Sequence, residues 1–136
     1  MGCPIRSSME VVQIGTSDFD MPIYFDKNAS EADHVVVVNR VKPHTGFAGE
    51  IESGLMKMML IGLGKHKGAA VYYRAIIHHS FDTIVRLVGR VVREEIPIAF
   101  GVATLENGYD ETAEVHAIDA PNFEEVEKIL QAKSKE

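Results

Sequence analysis

The chain has 136 residues with a net charge of -6 at pH 7, and 46% of its residues are hydrophobic. This is enough apolar chain for one ordinary domain, while the acidic balance argues against duplex nucleic acid and anionic membranes as partners. The single cysteine, Cys3, excludes an internal disulfide and a cysteine-ligated iron–sulfur cluster. The low cysteine content and the lack of a leader-like start together predict a cytoplasmic protein.

Short strands are predicted in the first third of the chain. Apolar and β-branched runs indicate strands over residues 9–14, 23–26 and 35–41. Polar residues between the second and third strands predict a turn or short helix there. The third strand lies in the run HVVVVNRV, which favours a central position in a sheet and is too short to span a membrane.

Helices are predicted in the middle and at the end of the chain. Apolar residues at intervals of three and four predict a helix with one buried face over 51–62. A second helix is predicted over 80–94, with Ser80 as its N-cap. The last helix should begin after Asn122 as its cap. Its buried stripe should consist of Phe123, Val126, Ile129 and Leu130.

Strands return between the last two predicted helices, over 98–105 and 112–118, joined by a turn at Asn107-Gly108. This order predicts an α/β fold, with a mixed, partly parallel sheet of about five strands and three or so helices packed on it. We expect one domain over 1–136. Because the chain enters a strand almost at once and ends in charged residues, we expect it to be the excised central part of a longer protein.

The segment 42–68, KPHTGFAGEIESGLMKMMLIGLGKHKG, is the part of the chain that most resembles a functional site. It directly follows the strongest predicted strand, and loops at strand ends hold the chemistry of many α/β proteins. Pro43 directs the chain out of the strand and presents the imidazole of His44. His44 is therefore a candidate acid or base, and the alternative is an exposed loop histidine without a role.

The residues that follow His44 favour the catalytic alternative. Thr45 and Gly46 are small and would leave a passage for a ligand. The carboxylates of Glu50 and Glu52 lie close enough in sequence to orient the imidazole ring.

Lys57 lies inside the predicted helix, beside its apolar stripe. One interpretation is that its amine reaches solvent from the flank of the buried face. The other is that it points into a cleft, where a partly desolvated amine becomes a nucleophile or a covalent tether for a carbonyl-bearing cofactor.

Glycines and lysines are concentrated between Gly62 and Gly68, which predicts a mobile basic loop. The glycine spacing and the preceding helix do not match the dinucleotide-binding fingerprint. Backbone N–H groups and ammonium groups could still hold a phosphate or carboxylate, and the alternative is a flexible solvated turn. The candidate ligand-binding residues are Gly62, Gly64, Lys65 and Lys67.

The remaining histidines give a weaker signal. His78 and His79 are adjacent at a predicted helix start, so at most one of them should share a cleft with His44. Their spacing from His44 and His66 fits no closed zinc motif. His34 and His116 belong to predicted strands and are expected to be structural.

Motifs along the whole chain resemble the domain shared by nickel-pincer lactate racemases and their relatives. The motifs are RSSMEVV, VNRVKPHT, GEIESGLMKM, IGLGKHKGA and IAFGVATLEN. This resemblance implies racemisation or epimerisation of a 2-hydroxy acid by hydride transfer to a lysine-tethered nickel-pincer nucleotide. It also implies that a preceding segment and a separate C-terminal domain belong to the same protein.

The resemblance also assigns roles to individual residues. Pro43-His44 matches the family's proline–histidine acid/base, and Lys57 matches the tethering lysine of its K-x-x-L-x-G run. His79, or else His78, falls near the family's nickel-ligating histidine. The chain departs from the family in a longer separation between His44 and Lys57 and in extra residues at GKHKG.

The family's second histidine base comes from an earlier segment absent from this chain. The chain is therefore expected to be catalytically incomplete. For the isolated chain two alternatives stay open, the nickel-pincer nucleotide or no cofactor. The expected partners are a small anionic hydroxy acid, the missing N- and C-terminal parts of the protein, and a second copy of the chain. Two other classes stay open: a non-catalytic module that binds an anionic metabolite or nucleotide on the Gly62 to Gly68 segment, and an interaction or scaffold domain.

Overall fold

The structure is a computed structural model that describes residues 2–44 and 49–136. Short 3-10 turns precede the second strand and the last helix, and a π-helical turn extends the second helix. The elements are β1 (Val11–Thr16), β2 (Pro22–Asp26), α1 (Lys27–Ser30), β3 (Val35–Arg40), α2 (Leu55–Lys57), the π-helical turn (Met58–Gly62), α3 (Lys65–Ile76), α4 (Phe81–Glu95), β4 (Ile98–Glu106), β5 (Thr112–Asp119) and α5 (Phe123–Ser134).

The predicted mixed α/β class is confirmed, with the strands divided between two sheets rather than joined in one. β1 and β2 form an antiparallel pair, and β3, β4 and β5 form a sheet in that order. β3 runs parallel to β4, and β4 runs antiparallel to β5. The parallel pair requires the helical crossover that lies between these strands, as the order of elements predicted.

The helices cover one face of the three-stranded sheet and the inner face of the hairpin. α2 and α5 pack on the three-stranded sheet, whereas α3 and α4 contact the β1–β2 hairpin. The outer face of the larger sheet exposes apolar side chains at alternate positions, namely Val36, Val38, Phe100 and Val115. Self-association through unsupported surface stays a prediction.

Helix α4 follows its sequence prediction closely. The Ser80 hydroxyl accepts a hydrogen bond from the Thr83 backbone N–H at 3.1 Å, as an N-cap should. The apolar residues on one side of this helix are buried, and full burial stabilises each such side chain by about 1.5–3 kcal/mol. The buried residues of the helix are Phe81, Ile84, Val85, Val88, Gly89 and Val92.

The prediction of a mobile loop between Gly62 and Gly68 is wrong. Gly62 ends the π-helical turn, and α3 begins at Lys65. A Cβ atom on Gly68 would lie 3.0 Å from Cε2 of the buried Tyr72 ring, so the glycine allows that ring to pack against the helix. Because glycine lowers helix propensity, the sequence pattern did not predict α3.

Tyr72 connects α3 to the β1–β2 hairpin. Its hydroxyl oxygen accepts a hydrogen bond from the Tyr24 backbone N–H at 3.0 Å. Burial raises the pKa of Tyr72 to about 12, so the phenol stays neutral throughout the physiological range. Packing against the Tyr72 ring therefore explains the glycines Gly64 and Gly68 without any bound ligand.

Helix α5 buries a different stripe from the predicted one. Phe123 and Leu130 are buried as expected, but Ile129 is 68% exposed. Glu127 and Gln131 are buried in its place, at 1% and 2% exposure. Asn122 occupies the N-cap position without a side-chain capping bond. The helix thus turns polar groups toward the chain that connects β3 to α2.

Within residues 2–44 and 49–136, no helix has both the length and the apolar composition needed to cross a bilayer.

Candidate functional site

A cleft of about 310 Å³ opens at the carboxyl end of β3. It brings together three of the residues singled out from the sequence: His44, Lys57 and Gly62. β3 and the chain after it form one side, and α2 with its π-helical extension forms the other. The lining residues are Asn39, Arg40, Lys42, His44, Ser53, Lys57, Met58, Ile61 and Gly62.

Cationic side chains give this cleft its electrostatic character. Arg40, Lys42 and Lys57 all line it. Arg40 also forms an ion pair with Glu106, with 2.9 Å between Nη1 and Oε1. The cleft suits an anionic ligand, such as a carboxylate or phosphate, although the whole chain is acidic. Sequence reasoning missed Arg40 and Lys42, whose only signal was their position at the end of the central strand.

Lys57 is half-buried in the wall of the cleft. Burial lowers the pKa of its amine, and the positive charge of Lys42 lowers it further. Its Nζ lies 5.9 Å from the centroid of the Phe81 ring. A lysine with a lowered pKa has a larger neutral fraction at a given pH, which is the form that attacks a carbonyl carbon.

His44 is half-buried at the mouth of the cleft. Its backbone N–H donates a hydrogen bond to Oε2 of Glu52 at 2.9 Å. Glu52 therefore contacts His44 through the main chain, whereas the sequence suggested an interaction with the ring. Glu50 instead pairs with Arg86 on the surface, at 2.5 Å. Thr45 and Gly46, the predicted ligand passage, lie outside the described residues.

Glu52 is a buried carboxylate that accepts hydrogen bonds from several donors. Its Oε1 accepts a hydrogen bond from the Gly49 backbone N–H at 3.2 Å and is paired with the Lys135 ammonium group. Burial alone would raise the pKa of Glu52, but the bonds from Lys135, His44 and Gly49 outweigh burial and lower it. The group therefore stays ionised near neutral pH and continues to hold the main chain at His44.

Ser53 and Gln131 join the two ends of the segment between β3 and α2. The Ser53 hydroxyl accepts from the Lys42 backbone N–H at 2.7 Å and donates to the Lys42 carbonyl at 2.6 Å. The Gln131 amide N–H donates to the same carbonyl at 3.0 Å, and its oxygen lies 3.2 Å from the Ser53 hydroxyl, as the alternative acceptor of that hydroxyl's single proton. Residue 42 is thereby held beside residue 53.

Glu127 satisfies the start of α2. Its carboxylate accepts hydrogen bonds from the backbone N–H groups of Leu55 at 2.5 Å and Met56 at 2.8 Å. Gly54, the N-cap residue, has φ +93 and no side chain that could cap the helix. A glycine is required there because a Cβ atom would meet the Glu127 carboxylate.

His78 and His79 lie in a different place. They line a second cavity of about 320 Å³, where the rings of Phe19 and His79 stack with centroids 3.9 Å apart. The structure does not bring either histidine into the cleft with His44 and Lys57. No group of at least three His, Cys, Asp or Glu side chains suited to a metal ion occurs in the described parts of the chain. Metal ligation by His79 or His78 stays a prediction.

The other predicted ligand-binding residues do not line the cleft either. Lys65 pairs with Asp26, at 3.3 Å between Nζ and Oδ2. Nζ of Lys67 lies 4.7 Å from the centroid of the Tyr24 ring. Gly64 is the N-cap residue of α3. An anion-binding role for this segment stays a prediction, and the contacts of both lysines give it no specific support.

Fold and site together define a mixed α/β domain with a basic cleft at the end of a parallel strand. The cleft is lined by the histidine His44 and by Lys57, and burial lowers the pKa of the Lys57 amine. The family model for the lactate racemase N-terminal domain matches residues 5–84, which include every residue of the cleft, and the chain belongs to this family. The resemblance identified from sequence motifs is therefore confirmed.

A solved structure shows a similar fold. The lactate racemase apoprotein from Thermoanaerobacterium thermosaccharolyticum matches with a TM-score of 0.72 and 17% sequence identity. The match covers 88% of this chain and 30% of that protein, so the chain spans about a third of its length. At this identity the similarity concerns the fold. A search of curated protein sequences found no match.

Proposed function

We propose that this chain forms part of a racemase or epimerase of a 2-hydroxy acid, in which His44 is an acid/base and Lys57 tethers a nickel-pincer nucleotide. The observation that carries the proposal is that His44 and Lys57, from separate segments, line one cleft. Membership of the lactate racemase N-terminal domain family supports the reaction class.

The residues of the cleft fit one part of the cofactor. Lys57 provides a half-buried amine whose pKa is lowered by burial, as a covalent tether requires. Arg40 and Lys42 provide charges that can hold a phosphate or the substrate carboxylate. When bound, the cofactor would accept and return the hydride of the substrate carbon. Its nickel is supported by the family alone, because His79 lines the second cavity.

The proposed work of the chain's own residues is binding and proton transfer. The cations of the cleft would hold the carboxylate of the hydroxy acid, with its hydroxyl oxygen toward the His44 imidazole. His44 would take the hydroxyl proton as the carbon loses hydride, and return it when hydride comes back. A second base, needed for the opposite configuration, would come from another part of the protein.

Mass spectrometry of the tether tests the role of Lys57. The natural protein would be co-expressed with the enzymes that synthesise the pincer nucleotide, and peptides covering Lys57 would be analysed. We expect an adduct on Lys57 that is lost in Lys57→Arg, which keeps the charge and removes the reactive amine. Lys67→Arg is the matched control and should keep the adduct. An unmodified Lys57 in a nickel-loaded, active sample would remove this role.

Hydroxy acid turnover tests the role of His44. In the same loaded protein, His44→Ala should reduce racemisation by about 10²-fold or more, the usual contribution of a general acid/base. His66→Ala changes an exposed histidine of α3 and should leave turnover unchanged. Full activity of the His44 variant would end its candidacy as the base.

A further inference from the structure

Helix α5 lies beyond the residues matched by the family model. It nevertheless contacts both ends of the chain between β3 and α2, which contributes His44 to the cleft. Glu127 and Gln131 of the helix, together with Lys135 at its C-cap, follow one another at intervals of four and so share one helical face. We propose that these three side chains are positioning residues, which set the placement of His44 and Lys57 relative to each other. Their meaning for catalysis depends on the proposed function, but their positioning role can be measured without it.

The first contact of this polar face aligns α2. The early N–H groups of a helix have no partner within the helix, and Gly54 offers no capping side chain. Glu127 accepts from two of them, on Leu55 and Met56. Lys57 is the next residue along the chain. The direction in which α2 begins, and with it the placement of the Lys57 amine in the cleft, is therefore set from α5.

The second contact joins Lys42, just after β3, to Glu52 and Ser53, just before α2. The Gln131 amide N–H donates to the Lys42 carbonyl at 3.0 Å, and its oxygen accepts from the Glu52 backbone N–H at 3.4 Å and lies 3.2 Å from the Ser53 hydroxyl. These partners lie on both sides of the loop that contains His44. One buried side chain thus links the strand that leads to His44 with the residues that lead to Lys57.

The third contact acts on His44 through Glu52. Lys135 is paired with the Glu52 carboxylate and also donates to the Gly49 carbonyl at 3.4 Å. The opposite oxygen of Glu52 accepts the His44 backbone N–H at 2.9 Å. The Glu52 side chain is 4% exposed, so without Lys135 it would be a buried carboxylate lacking its counter-charge.

A purely structural role would also place such groups here, because buried polar atoms are normally hydrogen-bonded. The two roles differ in what they predict for folded variants. If the face only satisfies buried groups, a folded variant loses stability and His44 and Lys57 keep their surroundings. If it positions them, their chemical reactivity changes while residues elsewhere keep theirs.

Competitive acylation with acetic anhydride, read by mass spectrometry across a pH series, measures the apparent pKa of each lysine amine. In Glu127→Gln the side chain keeps its shape but offers a single acceptor oxygen. We expect α2 to loosen and the apparent pKa of Lys57 to rise toward its ordinary value, because the amine becomes less buried, while the labelling of Lys67 stays as in the natural protein. Glu125→Gln changes an exposed carboxylate of the same helix and is the matched control.

Carbethoxylation by diethyl pyrocarbonate tests the other side of the cleft in Lys135→Met. We expect the rate at His44 to change by at least about threefold relative to His66 in the same sample, since Glu52 without its counter-charge no longer holds the His44 main chain in place. Lys133→Met is the matched control, because Lys133 pairs with Glu114 away from the cleft. Lys135 is half-exposed, so this variant tests the proposal even if Glu127→Gln does not fold.

The outcomes separate this inference from the proposed function, because neither labelling experiment needs cofactor or turnover. Folded variants with lower thermal stability but unchanged labelling of Lys57 and His44 would overturn the positioning role. The expected labelling changes in a protein that never shows an adduct on Lys57 would support positioning and count against the racemase proposal.

Discussion

The carboxyl group of Glu127 should make the stability of this protein fall as pH rises from about 4.5 toward neutrality. Glu127 is 1% exposed. Burial raises its pKa to about 7, even though the hydrogen bonds from the Met56 and Leu55 backbone favour the ionised form. The perturbation is pH itself, compared between the natural protein and Glu127→Gln, which cannot ionise.

The direction follows from the proton that the folded chain retains. The ordinary pKa is 4.5, so between pH 4.5 and about 7 the folded protein keeps a proton that the unfolded chain has lost. The stabilisation is complete below pH 4.5 and is lost as pH rises through about 7. Because each pKa unit is worth about 1.4 kcal/mol, the difference from 4.5 corresponds to about 3–4 kcal/mol, of which about 3 kcal/mol is lost above pH 4.5.

Urea unfolding at a series of pH values gives the measurement. Glu52 and Glu114 have lowered pKa values, and the stability they contribute is lost as pH falls, so the natural protein alone shows a mixed profile. Subtracting the profile of Glu127→Gln removes those contributions. We expect the natural protein to lose about 3 kcal/mol relative to the variant between pH 4.5 and 8. Two parallel profiles would refute a Glu127 pKa near neutrality.

Three further predictions concern single contacts of the fold. Ser80→Ala should lower the free energy of unfolding by about 1 kcal/mol, because the first turn of α4 loses its cap. Gly54→Ala should cost about 2 kcal/mol or more, since φ there is +93 and the new Cβ atom would meet Glu127. Tyr72→Phe should cost about 1 kcal/mol by leaving the Tyr24 N–H without its acceptor. Denaturant unfolding measures all three.

Matched variants control for each substitution. Ser7→Ala and Tyr109→Phe alter exposed residues, and Gly108→Ala adds a Cβ atom with no neighbour within 4 Å. All three should stay within about 0.5 kcal/mol of the natural protein. A Ser80, Gly54 or Tyr72 variant that stays within the same limit would contradict the contact assigned to it.

Elements governed by local pattern were predictable from the sequence. Helix α4 combines an N-cap at Ser80 with an apolar stripe, and both signals lie within a few residues of the bonds they form. The turn at Asn107 is equally local, since its side-chain oxygen accepts from the backbone of Tyr109 and Glu111. Residues 98–105 and 112–118 accordingly became neighbouring strands.

Elements that depend on distant partners were not predictable. Gly64 at the N-cap of α3 and Gly68 in its first turn suggest a loop. Both pack against the Tyr72 ring, and this contact exists only after the chain has folded. In α5, Ile129 fits the apolar period, but Glu127 and Gln131 are buried because they meet main-chain groups far away in sequence. Hydropathy patterns contain no information about such acceptors and donors.

For the candidate site, the sequence by itself indicated a segment whose residues line the cleft, and the side chains that this segment offers. The run from Lys42 to Gly62 carries its motif in consecutive residues, and family membership follows from that order. Only the tertiary structure decided that His44 and Lys57 share a cleft, that His79 lies elsewhere, and that α5 holds the segment in place. The physical reason is that these relations join residues distant in sequence, and their geometry exists only once the helices and sheets have packed.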